Sequence, residues 1–173
     1  LAKQMRKERE KNGAIGFETE EVRFRLDADG APIEAYVKER KEAHLLIEDF
    51  MLLANKEVAH FIDAKAENQQ EIPFIYRVHD LPDMAKVAEF ARFAAELGHP
   101  MKVDTPKQLA KSFNQLMLAA RKNERLKLLE PLAIRTMAKA VYSTNNIGHY
   151  GLGYTHYAHF TSPIRRYADL VVH

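Results

Sequence analysis

The chain contains no cysteine, which excludes disulfides, thiolate metal sites and a cysteine nucleophile and suits a reducing compartment. It has no apolar run approaching the roughly 18 residues that read as a membrane span, and no secretory leader opens it. A soluble, cytoplasmic protein with no membrane partner is the expectation. An excess of one charge is also missing. The 26 Lys and Arg against 24 Asp and Glu leave a formal net charge of +2, so any attraction to a polyanion must come from where the basic residues sit. What is present is ordinary foldable material: 173 residues, 46% hydrophobic and 29% charged, enough for one domain or a large part of one.

Leu1 to Asn12 reads as the end of a helix with Gly13 as its stop, its basic residues forming a solvated face. Leu1 falls inside that helical stretch, and His173 ends the last helix before any capping residue, which reads as a fragment. GAIGFETEEVRFRLDADGAPIEAYV alternates apolar and polar residues about Asp29-Gly30, predicting a small antiparallel β element, hairpin or meander. A calcium loop around Asp27 and Asp29 would need further oxygen ligands and a terminal Glu, which are absent. From Ala43 to Ala66 apolar residues occur on most sides, predicting a largely buried helix with Ile47, Phe50, Met51, Ala54, Val58, Phe61 and Ile62 as its densest stripe.

Pro73 makes the following EIPFIYRVHD an edge strand or extended connection. LPDMAKVAEFARFAAELG is an amphipathic helix with proline in its first turn and Gly98 at its end. Another helix starts at Thr105-Pro106, and ERLKLLEPLAIRTMAKAV is helical with a break near Pro131. YSTNNIGHYGLGY is a loop that could hold a short strand. The fold class predicted is α+β, mixed and helix-rich.

The closing stretch HFTSPIRRYADLVVH raises a question of charge. Ser162 is suited to cap a helix and Pro163 to open it, with Ile164, Tyr167, Ala168 and Val171 on one buried face. Arg165 and Arg166 then fall in the first turn, where cations oppose the helix dipole and an anion would be welcome. Two readings stand: an absent phosphate, or an ion pair of Arg165 with Asp169. His149, His156 and His159 lack a third ligand at suitable spacing, so no metal site is assigned.

Residues 159–173 resemble the signature of the RNB catalytic domain of the ribonuclease II and ribonuclease R exoribonuclease family. The double arginine and IPFIYRVHD are more similar to the ribonuclease R branch. GAIGF, AHLLIEDFMLLAN and AVYSTNNIGHYGLGY match in the family's order across almost the whole chain, which is identified as the C-terminal portion of that domain, residues 1–173.

The resemblance implies a processive exoribonuclease that hydrolyses single-stranded RNA from its 3′ end to nucleoside 5′-monophosphates. It implies that Arg165 is the catalytic arginine that holds the phosphate near the scissile bond, as a planar guanidinium fork can. Phe17 would stack on a base near the 3′ end, and Glu48 would contact the terminal sugar, ahead of Asp49. Arg166 would be a neighbouring phosphate contact or a structural ion pair. The family's Mg2+ is held by clustered aspartates, and that cluster belongs to a family segment preceding LAKQMRKEREKNG, so its ligands are not in this chain. Half a domain would also expose apolar surface that favours self-association. The alternative is a non-catalytic RNA-binding relative.

Overall fold

The computed structural model describes residues 1–16, 21–66 and 72–173. Among them the chain is helix-rich α+β with two small antiparallel two-stranded sheets. Helix α1 (Ala2–Lys11) ends through Asn12 into Gly13, whose φ of +99° is a conformation that glycine adopts without penalty. It packs on the long helix α2 (Glu42–Ala66). The join is an ion pair: Asp49, buried, accepts from Arg6 Nη2 at 2.7 Å, with Arg9 Nη2 at 3.7 Å.

Between these helices stands the expected hairpin, β1 (Val22–Leu26) and β2 (Pro32–Val37), in register Val22 to Val37 and Phe24 to Ala35. Its turn is an aspartate turn, as the DADG motif implies. Asp27 Oδ1 accepts from the amides of Asp29 at 3.0 Å and Ala31 at 2.8 Å, and Gly30 has φ +83°. Every residue of both strands is exposed.

Helix α2 departs from expectation. Its buried residues are Asp49, Asn55 and Ala59, while Ile47, Phe50 and Phe61 are 58%, 41% and 57% exposed. Apolar periodicity records which face could be covered, not whether anything covers it. In this chain α2 is held by polar contacts, to Arg6 on one side and to Tyr157 and Phe160 on the other, and its apolar stripe is covered only toward its C-terminal half, where Val58 and Ile62 pack on the second core.

The second sheet pairs β3 (Tyr76–Val78) with β4 (Val141–Ser143), Tyr76 opposite Ser143 and Val78 opposite Val141. Pro73 lies in the extended approach to β3, where the missing amide costs no ladder bond. Phe74, Tyr76 and Val78 pack with Ala59 and Ala158 into a small core.

The larger core lies among α3 (Met84–Glu96), α4 (Pro106–Ala120), α5 (Glu124–Lys127) and α6 (Glu130–Thr136). Asp83 caps α3 by accepting from the Ala85 amide at 2.9 Å, so Pro82 precedes the helix rather than opening it. Thr105 caps α4 through the Gln108 amide at 3.2 Å. Phe113 is fully buried and stacks on Phe90 with ring centroids 5.9 Å apart. The expected break falls at Leu128 and Leu129, ahead of Pro131, because a proline is tolerated in the first turn of α6.

The last helix, α7 (Tyr167–Val172), starts later than the sequence suggested. Ser162 to Arg166 is a turn in which the Ser162 carbonyl accepts from the amides of Arg165 and Arg166, both at 3.2 Å. Ile164 and Tyr167, expected on a buried face, are 98% and 80% exposed. The cause is Asp169, whose carboxylate holds Ser162 and Arg166 and so reverses the chain before α7 begins. No described helix is long and apolar enough to cross a membrane.

Candidate nucleic-acid interface

The strip from Tyr157 to Arg166 runs between α2, β4 and α7 and is fixed by buried side chains. Asn55 Oδ1 accepts from the amides of Phe160 at 3.0 Å and Thr161 at 3.2 Å, and its Nδ2 donates to the Tyr157 hydroxyl at 3.1 Å. Those partners take both acceptor sites of the buried amide and one of its two N–H groups. At the far end His173 stacks on Phe160 with centroids 4.2 Å apart, its Nε2 3.0 Å from the Phe160 carbonyl.

The two arginines part ways here. Arg166 donates through Nε to Asp169 Oδ2 and through Nη2 to Asp169 Oδ1, each at 2.7 Å. The ion pair that the sequence offered to Arg165 therefore belongs to Arg166, whose fork is largely committed. Arg165 is exposed and has no ion-pair partner among the described residues. It lies in the turn ahead of α7 rather than in the helix, so the argument from an opposing dipole does not apply. What remains is an exposed cation whose neighbour's charge is already neutralised.

Charge and aromatic surface gather along the same strip. His159 Nδ1 meets the Tyr142 hydroxyl at 2.8 Å, and the Arg77 guanidinium lies 4.8 Å over the Tyr142 ring. Burial pushes the His159 imidazole down to about 4, and the charges of Arg166, Arg77 and Arg165 push the same way, so it is neutral at neutral pH. Asp169 is pushed up by its burial, but the Arg166 hydrogen bonds and the Ser162 amide outweigh this and hold it below the usual carboxylate range. The sequence reading did not bring Tyr142, Arg77 and His159 together on this strip. Asn55 was legible as a polar residue on an apolar helix whose side chain bonds backbone, and it does so at Phe160 and Thr161.

Glu48 sits elsewhere. Half-exposed on α2, it pairs through Oε2 with Arg40 and lines a groove of about 1210 Å³ that also holds Lys38, His44, Arg121 and Ile134. Among the described residues no hydrogen bond or ion pair joins it to the Arg165 strip. Phe17 lies outside the described residues. Asp49 is the structural partner of Arg6.

The loop from Ile147 to Tyr154 is a knot of histidines. Gly151 N donates to His79 Nδ1 at 2.9 Å, so Nε2 carries the proton and donates to the Ala138 carbonyl at 2.8 Å. His149 Nδ1 accepts from the Leu152 amide at 3.2 Å. His156 is spent on Asp63, at 2.9 Å. Among the described residues no group of three His, Asp or Glu could hold a metal ion. Four of the aspartates are already bonded: Asp27 in its turn, Asp83 in its cap, Asp49 and Asp169 to arginines. These residues do not fit a Mg2+ centre.

The family model described as RNB domain matches residues 1–173. Ribonuclease R of Ureaplasma parvum is 37% identical over 174 residues, covering 98% of this chain and 24% of that protein. Ribonuclease R of Escherichia coli is 36% identical over 173 residues, covering all of this chain and 20% of that protein. Among solved structures, Mycoplasma genitalium RNase R in complex with ribose-methylated single-stranded RNA superposes with a TM-score of 0.86 at 28% identity, over 99% of this chain and 26% of that one. Yeast Ssd1, described as a pseudonuclease, superposes with a TM-score of 0.62 at 28% identity, over 78% of this chain and 16% of that one. The chain spans about a fifth to a quarter of the curated relatives it matches. With a family model covering its whole length and an ordered set of matching motifs, this chain belongs to the RNB family.

Proposed function

We propose that residues 1–173 form one structural unit, the C-terminal portion of an RNB catalytic domain, and supply the substrate-gripping residues of a 3′-to-5′ exoribonuclease acting on single-stranded RNA. The observation that carries this is the contrast between the arginines: Arg166 is neutralised by Asp169, while Arg165 is exposed with no ion-pair partner among the described residues. A guanidinium so placed can take two phosphate oxygens at once and stabilise the charge that grows on them during hydrolysis. Phe17 stacks on a base near the 3′ end, which tolerates any sequence. Glu48 accepts from a ribose 2′-hydroxyl with the carboxylate oxygen that Arg40 leaves free. Arg166 is the structural ion pair that holds this surface. Exposed apolar side chains such as Phe24, Ile33, Ile164 and Tyr167 leave a surface that favours self-association.

Magnesium, which the family uses to activate water, has to be held by carboxylates from outside this chain. The isolated chain therefore binds RNA without cutting it. A nuclease-free preparation incubated with Mg2+ and a labelled oligoadenylate should release no mononucleotides, and such release would refute this reading. In fluorescence anisotropy, Arg165→Ala should weaken RNA binding about tenfold, the loss of one charged hydrogen-bonded contact. It should also lower the slope of log affinity against log salt by about 0.7. A non-catalytic RNA-binding relative is the second reading, favoured by the likeness to a pseudonuclease. Intact aspartates in the coding sequence upstream of Leu1 would decide for the enzyme.

A further inference from the structure

We infer that Asp169 is a positioning residue that aims Arg165 at the RNA backbone, an inference that rests on the reading of Arg165 as the phosphate-binding group. Asp169 has no exposed surface, and a buried carboxylate is costly unless it is fully paired. Its three bonds all go to one short segment: the Ser162 amide at 2.8 Å, and Arg166 Nε and Nη2 at 2.7 Å each. It thus fastens both ends of the turn that carries Pro163, Ile164 and Arg165. Within that turn the Ser162 carbonyl takes the Arg165 and Arg166 amides.

The segment just before is held in the same manner. Asn55, 3% exposed, accepts from the Phe160 and Thr161 amides, so three consecutive amides, 160 to 162, are taken by two buried side chains. Within the turn itself only the two amide bonds of the Ser162 carbonyl and the Pro163 ring add to these anchors among the described residues. Pro163, Ile164 and Arg165 are all exposed, so no apolar burial holds them against the protein. A buried ion pair is a weak source of stability and a good way of fixing one geometry. Arg165 then meets a phosphate with its backbone already ordered, which removes part of the cost of binding and keeps the fork in register with the oxygens.

The test uses the full 173-residue chain and a fluorescent single-stranded oligoadenylate. Asp169→Asn keeps one oxygen for the Ser162 amide but turns an N–H toward Arg166, breaking the fork. It should weaken binding about as much as Arg165→Ala, roughly tenfold, and lower the salt slope by the same about 0.7. The double variant should bind no worse than Arg165→Ala alone, because Asp169 acts through Arg165. A merely structural role gives the opposite pattern: a lower melting temperature, with the folded fraction keeping wild-type affinity and slope, or losses that multiply in the double variant. Either result overturns the inference. Should Asp169→Asn not fold, Arg166→Lys keeps the charge while losing the fork, and the same comparison with Arg165→Ala applies. If the wild-type chain binds no RNA, or Arg165→Ala changes nothing, the functional reading itself fails and takes this inference with it.

Discussion

Two half-buried histidines, His149 and His159, predict that acid destabilises this chain before its carboxylates titrate. His149 is pushed down to about 3, by burial first and by the neighbouring His79 second. The geometry gives the reason. Its Nδ1 is occupied by the Leu152 amide, its ring lies 5.0 Å from His79 and 5.2 Å from Tyr157, and Arg77 adds positive charge. A proton on Nδ1 breaks that hydrogen bond and places a cation beside others in a half-buried loop. His159, pushed down to about 4, behaves alike. Both folded values lie below the ordinary 6.5, so between them and 6.5 the unfolded chain binds more protons than the folded one. Stability is therefore full above that window and falls as pH drops through it. Each pH unit below 6.5 costs about 1.4 kcal/mol per histidine, or about 2 kcal/mol each near pH 5. Together they remove about 4 kcal/mol from a fold whose total stability is of order 5–15 kcal/mol.

Urea titrations followed by far-UV circular dichroism at pH values between about 5 and 7.5 measure this directly. His149→Asn supplies the control, since an Asn side-chain oxygen can accept from the Leu152 amide and does not titrate. The wild type should lose about half its pH slope on this substitution, one of two protons taken up on unfolding. An unfolding free energy that is unchanged between pH 7.5 and 5, or a slope that His149→Asn leaves intact, would show that these imidazoles do not carry the acid sensitivity.

Much of this structure was legible from local chemistry. Asp29-Gly30 marked the hairpin turn, Thr105-Pro106 the start of α4, and Pro131 the break between α5 and α6, because each residue's own dihedrals or hydrogen bonds dictate the feature. The α+β class followed from two apolar periods in one chain. Two things were not legible. The stripe of α2 obeys the helical period as that of α4 does, yet it is covered only in part, at Val58 and Ile62 and not at Ile47, Phe50 or Phe61, since coverage depends on contacts distant in sequence. The start of α7 was displaced because Asp169 reaches back seven residues to the Ser162 amide, a bond that outcompetes the capping role of Ser162 itself. For the site, the matching motif singled out Arg165. The α2 anchor of the strip that leads to it, Asn55, lies 105 and 106 residues from the Phe160 and Thr161 amides it holds, a separation at which sequence pattern carries no geometry.

Two further substitutions probe packing. Gly153→Ala should destabilise by at least about 2 kcal/mol, because Gly153 has φ +66° and an added Cβ would stand 2.8 Å from the Ala14 amide, backbone that cannot swing aside. A variant that melts with the wild type would mean that the α1 terminus does not rest on this loop. The other compares two helices of the same sequence character. Phe113→Ala on α4 removes a fully buried ring stacked on Phe90 and should cost about 3–5 kcal/mol. Ile47→Ala on α2 removes a side chain that is 58% exposed and should fall within about 0.5 kcal/mol of the wild type. Apolar periodicity alone assigns both residues to a core, so equal losses in urea titration would mean that α2 is covered in solution, by a second copy at the concentrations used. The two arms then separate by dilution: a self-associated chain loses the Ile47 effect as concentration falls, whereas burial within one chain keeps it.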